Sequence, residues 1–156
     1  MNPKIEIRKG TPEDLNQLLK AQVQMAYESE SVHLDEQSLK AGLQAVLSDS
    51  SLGQYWIAFS SQRSFLGTLM ITREWSDWRN GFVLWIQSVF VAPEFRRQGI
   101  YRALYSFIKQ KAEDDPLIVG VRLYVEKENE RAIQTYRRLG MNSDRYVVCE
   151  WLKTSH

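Results

Sequence analysis

The stretch Val89–Arg102 reads VFVAPEFRRQGIYR and joins an apolar run to a basic turn that contains Gly99. An amphipathic segment, Ala103 to Lys111, follows the turn. A strand, a glycine turn and a helix in this order favour anion binding, because the N–H groups of the first helical turn and the helix dipole both attract negative charge. The glycine also lets a ligand approach the backbone closely. The stretch therefore predicts a phosphate-bearing cofactor.

The composition of the 156-residue chain is that of an ordinary globular protein. Hydrophobic residues make up 44% and charged residues 25%, and the length predicts a single domain, 1–156, with a sizeable core. The net charge of +1 gives no electrostatic reason to expect nucleic acid or a membrane as a partner. Cys149 is the single cysteine and fits a reducing compartment, while His33 and His156 are too scattered for a metal site. We therefore expect a soluble, cytoplasmic protein without a metal.

Hydrophobic periodicity predicts a mixed α/β fold with the element order β-α-α-β-β-β-α-β-α-β and helices on both faces of the sheet. The run 82–91 has Gln87 and Ser88 as its only polar members, which is typical of a central strand covered on both faces. The predicted strands are 4–8, 54–59, 65–72, 82–91, 118–125 and 146–152. The predicted helices run from Thr11 as N-cap to Tyr27 or Glu30, from near Asp35, from Gly99 onward, and over 129–139 with Gly140 as the closing residue.

A second motif, formed by Asn129, Ala132, Tyr136, Gly140 and Met141, lies on the last predicted helix. Together with the turn at 96–101, it resembles the paired motifs of the GNAT superfamily of N-acetyltransferases. Those motifs are Arg/Gln-x-x-Gly-x-Gly/Ala and Asn-x-x-Ala-x-x-x-Tyr-x-x-x-Gly-hydrophobic. The element order is also similar to the family's fold over essentially the whole chain. The resemblance implies that the central parallel strands splay apart and that acetyl-CoA binds in the cleft between them.

The resemblance also implies a role for the residues of the two motifs. Backbone groups of Val89 and Val91 would bond the pantetheine arm and polarise the thioester carbonyl, and the N–H groups of residues 97–102 would hold the pyrophosphate. Tyr136 would be the catalytic general acid that protonates the departing thiolate. The implied cofactor-binding residues are Val89, Phe90, Val91, Arg96, Arg97, Gln98, Gly99, Ile100, Tyr101, Arg102 and Asn129.

Each motif also has a purely structural interpretation. The basic turn could be a solvated helix start, Tyr136 a core aromatic residue and Asn129 only the N-cap of its helix. Because both motifs occur at the expected separation on the expected elements, we favour cofactor binding.

Two positions depart from the family pattern. Tyr101 stands where Gly or Ala is usual, so its side chain has to point away from the pyrophosphate or pack on the cofactor. Gln87 stands where many relatives carry a catalytic glutamate, and a glutamine cannot act as a base. Another carboxylate, a water chain or an already neutral amine would then do that work. The candidate residues on the acceptor side are Glu28, Glu30, Glu74, Asp77, Trp78 and Gln87.

The expected function is transfer of an acetyl group from acetyl-CoA to an amine of a small molecule or peptide, by direct attack in a ternary complex. The alternative is a non-catalytic acetyl-CoA sensor, which Gln87 favours and Tyr136 disfavours. The resemblance also makes a homodimer possible. The Trp-rich loop at 73–81 suits a substrate wall, a lid or a dimer contact.

Overall fold

A computed structural model of the chain describes residues 4–153 and contains five strands and four α-helices. Short 3-10 turns at Pro12–Asp14 and Pro93–Phe95 precede two of the helices. In chain order the elements are β1 (Ile5–Lys9), α1 (Leu15–Glu30), α2 (Glu36–Ser48), β2 (Gln54–Ser60), β3 (Phe65–Ser76), β4 (Gly81–Val91), α3 (Ile100–Asp114), β5 (Ile118–Leu123) and α4 (Glu130–Arg138).

The five strands form one mixed sheet in the order β1-β2-β3-β4-β5. The first four strands are antiparallel neighbours, and β5 lies parallel to β4. A parallel neighbour needs a crossover connection, which α3 supplies. The mixed α/β class predicted from the periodicity is therefore confirmed, with β4 as an interior strand at the change from antiparallel to parallel pairing.

Helices cover both faces of the sheet around β2. Ile57 and Tyr55 point to the face on which Leu18 of α1 and Leu43 of α2 pack. Trp56, which alternates to the opposite face, meets Phe107 of α3 with ring centroids 4.8 Å apart. The helical stripes read from the sequence are thus the buried stripes of the fold, and they fix the sheet between two helical layers.

The start of α1 follows the capping signals in the sequence. Thr11 is the N-cap, and the Asp14 carboxylate accepts hydrogen bonds from the Thr11 N–H at 2.8 Å and from the Arg8 guanidinium at 2.7 and 2.8 Å. The hydrogen bond from Arg8 is the main cause that lowers the pKa of Asp14, so this carboxyl is charged at neutral pH. The first turn is a 3-10 turn, and the α-helix proper begins at Leu15.

The chain divides into two compact units, one that ends at Tyr124 and one that begins at Val125. The second unit contains α4. The Asn129 side chain caps this helix by accepting a hydrogen bond from the Ala132 N–H at 3.1 Å, and Gly140 follows it with a φ of +87°. Left-handed backbone of this kind favours glycine, which explains the glycine of the second motif. The assignment of the whole chain to one domain stays a prediction.

One predicted strand is absent. Residues 146–152 form no strand in the described part of the chain, although their sequence alternates as a strand does. Large apolar side chains of this segment are exposed, including Val147 at 79% and Trp151 at 86%. A strand exists only where a neighbouring strand completes its hydrogen bonds, so an apolar pattern alone does not create one.

Two boundaries also differ from the prediction. The strand β3 continues to Ser76, because residues 73–76 pair with 81–84 of β4 and close a hairpin. The strand β5 ends at Leu123, two residues before the predicted end. Among the helices of residues 4–153, none is long and apolar enough to cross a membrane.

Candidate functional site

The strand β4 has two halves that differ in their neighbours. Residues 82–86 pair with β3 on one side and with β5 on the other, and the last partners in the parallel ladder are Ile86 and Leu123. Residues 87–91 keep β3 as a partner but have no counterpart in β5. We call these the closed half and the open half of β4. The parallel pairing thus stops at Ile86, and the splay that the family resemblance implies stays a prediction.

A β-bulge begins the open half. Thr68 of β3 stands opposite Phe90 and Met70 stands opposite Gln87, so two residues of β4, Ser88 and Val89, face the single residue between them on β3. Ser88 adopts a φ of +52°, which is uncommon for a residue other than glycine. Such a bulge bends the strand and interrupts its regular pairing. The bulge is thus the local cause of the change from closed to open.

Two buried polar side chains from other elements reach the bulge. Gln22 of α1 is 3% exposed, and its Nε2 lies 3.5 Å from the Ser88 carbonyl. Tyr55 of β2 is 4% exposed and hydrogen bonds with Ser88, and burial raises the pKa of its phenol. Neither residue was predicted from the sequence. The sequence feature that could have identified Gln22 is a polar residue within the apolar stripe of α1, between Leu18 and the end of the helix.

The backbone of the open half alternates between β3 and the open edge. The Ala92 N–H donates to the Leu66 carbonyl at 3.0 Å, and Phe90 is the ladder partner of Thr68. By alternation, the backbone groups of Val89 and Val91 face the edge that β5 leaves open.

Phe90, which the family resemblance implied as a cofactor contact, has a different place. Its backbone faces β3, and its side chain is 5% exposed in a cluster with Ala21 and Ala92.

The turn after β4 has the conformation of an anion-attracting helix start. Arg97 and Gly99 have φ angles of +65° and +81°. The first i to i−4 hydrogen bond of α3 runs from the Ala103 N–H to the Gly99 carbonyl at 2.9 Å. The N–H groups of Ile100, Tyr101 and Arg102 precede it and so have no partner within the helix.

The side chains of this turn separate into two sets. Arg97 and Arg102 are exposed, and within residues 4–153 neither forms an ion pair. Gln98 instead donates to the Glu94 carbonyl at 2.9 Å, which braces the turn. Tyr101 packs along its own helix on Tyr105, with ring centroids 6.3 Å apart.

Arg96 points back along the strand. Its Nε donates to the Val91 carbonyl at 3.0 Å, and its Nη2 donates to Glu28 Oε2 at the end of α1. Glu28 also accepts a hydrogen bond from Gln24 at 2.7 Å, and the hydrogen bonds from Gln24 and Arg96 lower the pKa of its carboxyl. Glu28 is therefore a charged partner of Arg96. Glu30 lies exposed two residues further along α1.

Gln87 and Glu74 have partners within the sheet. Gln87, at the boundary between the two halves of β4, donates to Thr72 Oγ1 at 2.6 Å. Glu74 stands opposite Val83 in the closed half, and it accepts hydrogen bonds from Trp85 Nε1 at 2.7 Å and from Arg122 at 3.0 Å.

Asp77 and Trp78 lie at the tip of the β3–β4 hairpin. Trp78 is 88% exposed, and Asp77 accepts a hydrogen bond from the Trp78 N–H at 2.9 Å. The hairpin closes at the start of β4, and the seven-residue rise from Phe82 to Val89 spans about 23 Å. The structure therefore does not bring Asp77 and Trp78 together with the bulge, and their place on the acceptor side stays a prediction.

A surface cleft with a histidine in its wall lies apart from the open half. A cleft of 760 Å³ runs along α1, and its walls include Lys20, Tyr27, His33 and Glu36 but no residue of β4. The His33 ring lies 5.3 Å from the Tyr27 ring. In the part of the chain that the structure describes, no three residues among His, Cys, Asp and Glu are grouped as a metal site would require.

The second motif belongs to the second unit. Tyr136 is half-buried on α4, and its carbonyl accepts hydrogen bonds from the Leu139 N–H at 3.0 Å and the Met141 N–H at 3.1 Å. The Tyr-x-x-x-Gly-hydrophobic spacing thus ends the helix, because Met141 and Gly140 provide the closing turn. Asn129, at the other end of the helix, is its N-cap.

Fold and site together define a mixed α/β protein in which the pairing of β4 with β5 stops at Ile86 and an anion-attracting helix start follows β4. The chain belongs to the acetyltransferase (GNAT) family, whose model matches residues 13–141. Among curated proteins, none matches the chain.

Several solved structures share this fold. A possible acetyltransferase from Clostridium difficile 630 is 42% identical, with a TM-score of 0.90 over 97% of this chain and 99% of that one. A predicted acetyltransferase with acetyl-CoA, from Clostridium acetobutylicum, is 18% identical, with a TM-score of 0.73 over 94% of this chain and 96% of that one. An aminoglycoside acetyltransferase from an uncultured soil metagenomic sample, in complex with sisomicin, is 16% identical, with a TM-score of 0.73 over 97% of each chain.

Proposed function

We propose that this protein transfers an acetyl group from acetyl-CoA to an amine of a small molecule or peptide, by direct attack in a ternary complex. The observation that supports it best is the open half of β4. Its free backbone edge leads directly into a basic turn at the start of α3. Membership of a family of acetyltransferases supplies the class of reaction.

Acetyl-CoA carries the chemical groups that the open half and the basic turn can bind. Acetyl-CoA supplies an activated acyl thioester and carries phosphates and an amide-bearing arm. The edge-facing backbone groups of Val89 and Val91 would bond the amides of the arm, and a Val89 N–H would polarise the thioester carbonyl. The N–H groups of residues 100–102, with Arg97 and Arg102, would hold the phosphates. No metal takes part in this scheme.

Tyr136 is the proposed proton donor to the departing thiolate. The support is its position in the second motif, on a helix capped by Asn129 and closed by Gly140. A phenol has an ordinary pKa of about 10, which suits a donor to a thiolate. Asn129 is proposed to contact the donor as well, because capping uses only its Oδ1 and leaves the amide nitrogen for another partner.

The acceptor amine needs no strong protein base in this proposal. Gln87 bonds Thr72, Glu28 bonds Arg96, and Glu74 bonds Arg122 and Trp85. An amine that arrives neutral, or that passes its proton to a water chain, can attack without a carboxylate. Turnover should therefore rise with pH as the amine of the acceptor becomes neutral.

The test is an acetyl-CoA turnover assay over a panel of amines, with wild-type protein and Tyr136→Phe. We expect turnover with at least one amine, and a decrease in kcat of about a hundredfold in the variant. Undiminished turnover in Tyr136→Phe would remove the general-acid role. Binding of CoA without turnover of any amine would favour the alternative function, an acetyl-CoA sensor, which the glutamine at position 87 supports.

A homodimer and a cytoplasmic location complete the proposal. The exposed apolar side chains of 146–152 support the dimer, because exposed strand-like segments of this kind are often covered by a partner chain. Sedimentation analysis of the wild type and of Trp151→Glu would test it, with a dimer expected for the wild type and a monomer for the variant. The single cysteine is the support for a reducing compartment.

A further inference from the structure

We infer that Arg96 is a positioning residue that acts through Glu28 and Val91, and that it does not bind the phosphates of the donor. The inference rests on the proposed donor site. It gives Arg96 a different task from Arg97 and Arg102, which are proposed to bind the phosphates. We call the Glu28–Arg96 pair and its bond to the Val91 carbonyl the clasp.

The first observation is that Arg96 is held from two directions. Nε donates to the Val91 carbonyl and Nη2 to the Glu28 carboxylate. The guanidinium is a rigid planar group, so it cannot turn toward a phosphate without losing both bonds. Glu28 also neutralises its charge, which removes the electrostatic reason for an anion to bind there.

The second observation is that Glu28 is itself fixed. Gln24, one turn earlier on α1, donates to Oε1 at 2.7 Å, while Arg96 donates to Oε2. Both oxygens of the carboxylate are therefore engaged. The clasp thus ties the last turns of α1 to the end of β4, across 68 residues of sequence.

The third observation concerns the peptide unit between Val91 and Ala92. Its N–H donates to the Leu66 carbonyl at 3.0 Å, and its carbonyl accepts from Arg96 at 3.0 Å. Both polar groups of this unit are engaged, so the carbonyl of Val91 is not offered to the arm of the donor. The groups left for the arm at this end of β4 are the Val91 N–H and the backbone of Val89.

Arg97 provides the contrast within the same turn. Like Arg96 it is exposed, but it has left-handed backbone, and in the described residues it forms no ion pair. Its charge is therefore available to an anion at the start of α3, whereas the charge of Arg96 is not. Arg97→Gln is the matched control for Arg96→Gln, because both remove one positive charge from adjacent positions.

The experiment compares binding of CoA with binding of pantetheine, which has the same arm but lacks the phosphates and the adenosine. Dissociation constants are measured for the wild type, Glu28→Gln, Arg96→Gln, the double variant and Arg97→Gln. We expect Arg96→Gln and Glu28→Gln to weaken both ligands about fivefold each, and the double variant to be no weaker than either single variant, because the residues act as one unit. Arg97→Gln should weaken CoA alone.

A phosphate-binding Arg96 would give a different pattern. Arg96→Gln would then weaken CoA and leave pantetheine unchanged, and Glu28→Gln would leave CoA binding unchanged or tighten it, because the guanidinium would be released. That result overturns the inference while it leaves the donor site in place. Failure of the wild type to bind CoA would instead contradict the proposed function.

Two further measurements separate positioning from a general effect on folding. Circular dichroism establishes the folded fraction to which each constant is normalised, and Arg96→Lys should recover part of the loss because an ammonium can still reach one partner. The dependence of CoA binding on salt should be unchanged in Arg96→Gln and reduced in Arg97→Gln. A salt dependence that is reduced equally in both variants would contradict the clasp.

Discussion

The two halves of β4 are built from similar apolar residues, yet they have different tasks. The closed half, 82–86, has neighbours on both edges, and its backbone groups are used within the sheet. The open half, 87–91, follows the bulge at Ser88 and keeps one neighbour. One inserted residue and the end of β5 at Leu123 thus give β4 a half without a second strand neighbour, and a ligand with amide groups can use backbone groups on such an edge.

The halves also differ in how charged residues are arranged around them. Beside the closed half, Glu74 and Arg122 pair on the exposed surface, and Trp85 adds a hydrogen bond. Beside the open half, Glu28 and Arg96 pair across two elements and bond the strand itself. The two ion pairs are about equally exposed, so neither contributes much to stability through its charges alone. The Glu28–Arg96 pair differs because Arg96 also bonds the Val91 carbonyl, which fixes the backbone next to the free edge.

The largest expected effect comes from adding a side chain at Gly67 of β3, next to the open half of β4. A Cβ at Gly67 would lie 2.6 Å from the Phe90 carbonyl oxygen and 3.2 Å from Val91 Cα, and both are backbone atoms that cannot move away easily. Gly67→Val should lower the free energy of unfolding by about 3 kcal/mol. It should also weaken CoA affinity per folded molecule, because the strand that carries the free edge is displaced. Chemical denaturation and CoA titration measure the two effects.

Two other glycines serve as controls for this variant. Gly81→Ala, at the start of the closed half, meets the Leu117 carbonyl at 2.8 Å and should destabilise the protein without changing CoA affinity per folded molecule. Gly42→Ala, in open space on α2, should stabilise it by about 0.5–1 kcal/mol. If Gly67→Val unfolded like the wild type, the assignment of close strand packing behind the open half would be wrong.

An effect of intermediate size is expected from removing one backbone N–H in each half. Val91→Pro removes an N–H that faces the open edge, so CoA affinity should decrease about tenfold while the fold is kept. Phe82→Pro removes the N–H that donates to the Leu117 carbonyl at 2.7 Å, so it should cost about 1 kcal/mol of stability and leave CoA affinity unchanged. The opposite assignment of the two effects would contradict the division of β4.

The smallest expected effect is a dependence on acidic pH that only the open half shows. The hydrogen bonds from Gln24 and Arg96 lower the pKa of Glu28, so the clasp is complete above the ordinary carboxyl pKa of about 4.3 and is lost as the pH falls through the lowered value. At pH 4 the roughly fivefold advantage in CoA affinity of the wild type over Glu28→Gln should shrink by about twofold, because protonated Glu28 resembles the glutamine. The difference between the two proteins isolates Glu28 from the titration of CoA itself, and an identical pH profile would show that the clasp does not reach the ligand.

Much of the fold could be predicted from the sequence, because burial imposes a period on each element. The apolar run 82–91 identified an interior strand, the Thr11–Asp14 signals placed the start of the first helical segment, and Gly99 and Gly140 marked a helix start and a helix end. The paired motifs indicated the family that the comparison of the chain confirms. These features are local, and each follows from the conformational preference or the hydrophobicity of a few neighbouring residues.

The candidate site was predicted only in part, because it depends on residues that are distant in sequence. Ser88 is polar in the sequence, but its left-handed backbone depends on the pairing with β3. Gln22 and Tyr55 reach it from two other elements. The strand pattern at 146–152 failed for the same reason, since no property of the segment itself supplies a partner for its backbone.

The sequence by itself determined the class of fold, the order of the elements and the basic turn at 96–102, because periodicity and turn chemistry are written in neighbouring residues. Tertiary structure alone decided which backbone groups of β4 face an open edge and which charged side chains form ion pairs. It directed Arg96 to Glu28 and Val91, left Arg97 exposed, and ended the pairing of β4 with β5 at Ile86. The physical reason is that a hydrogen bond or an ion pair needs two partners, and the second partner is chosen by packing.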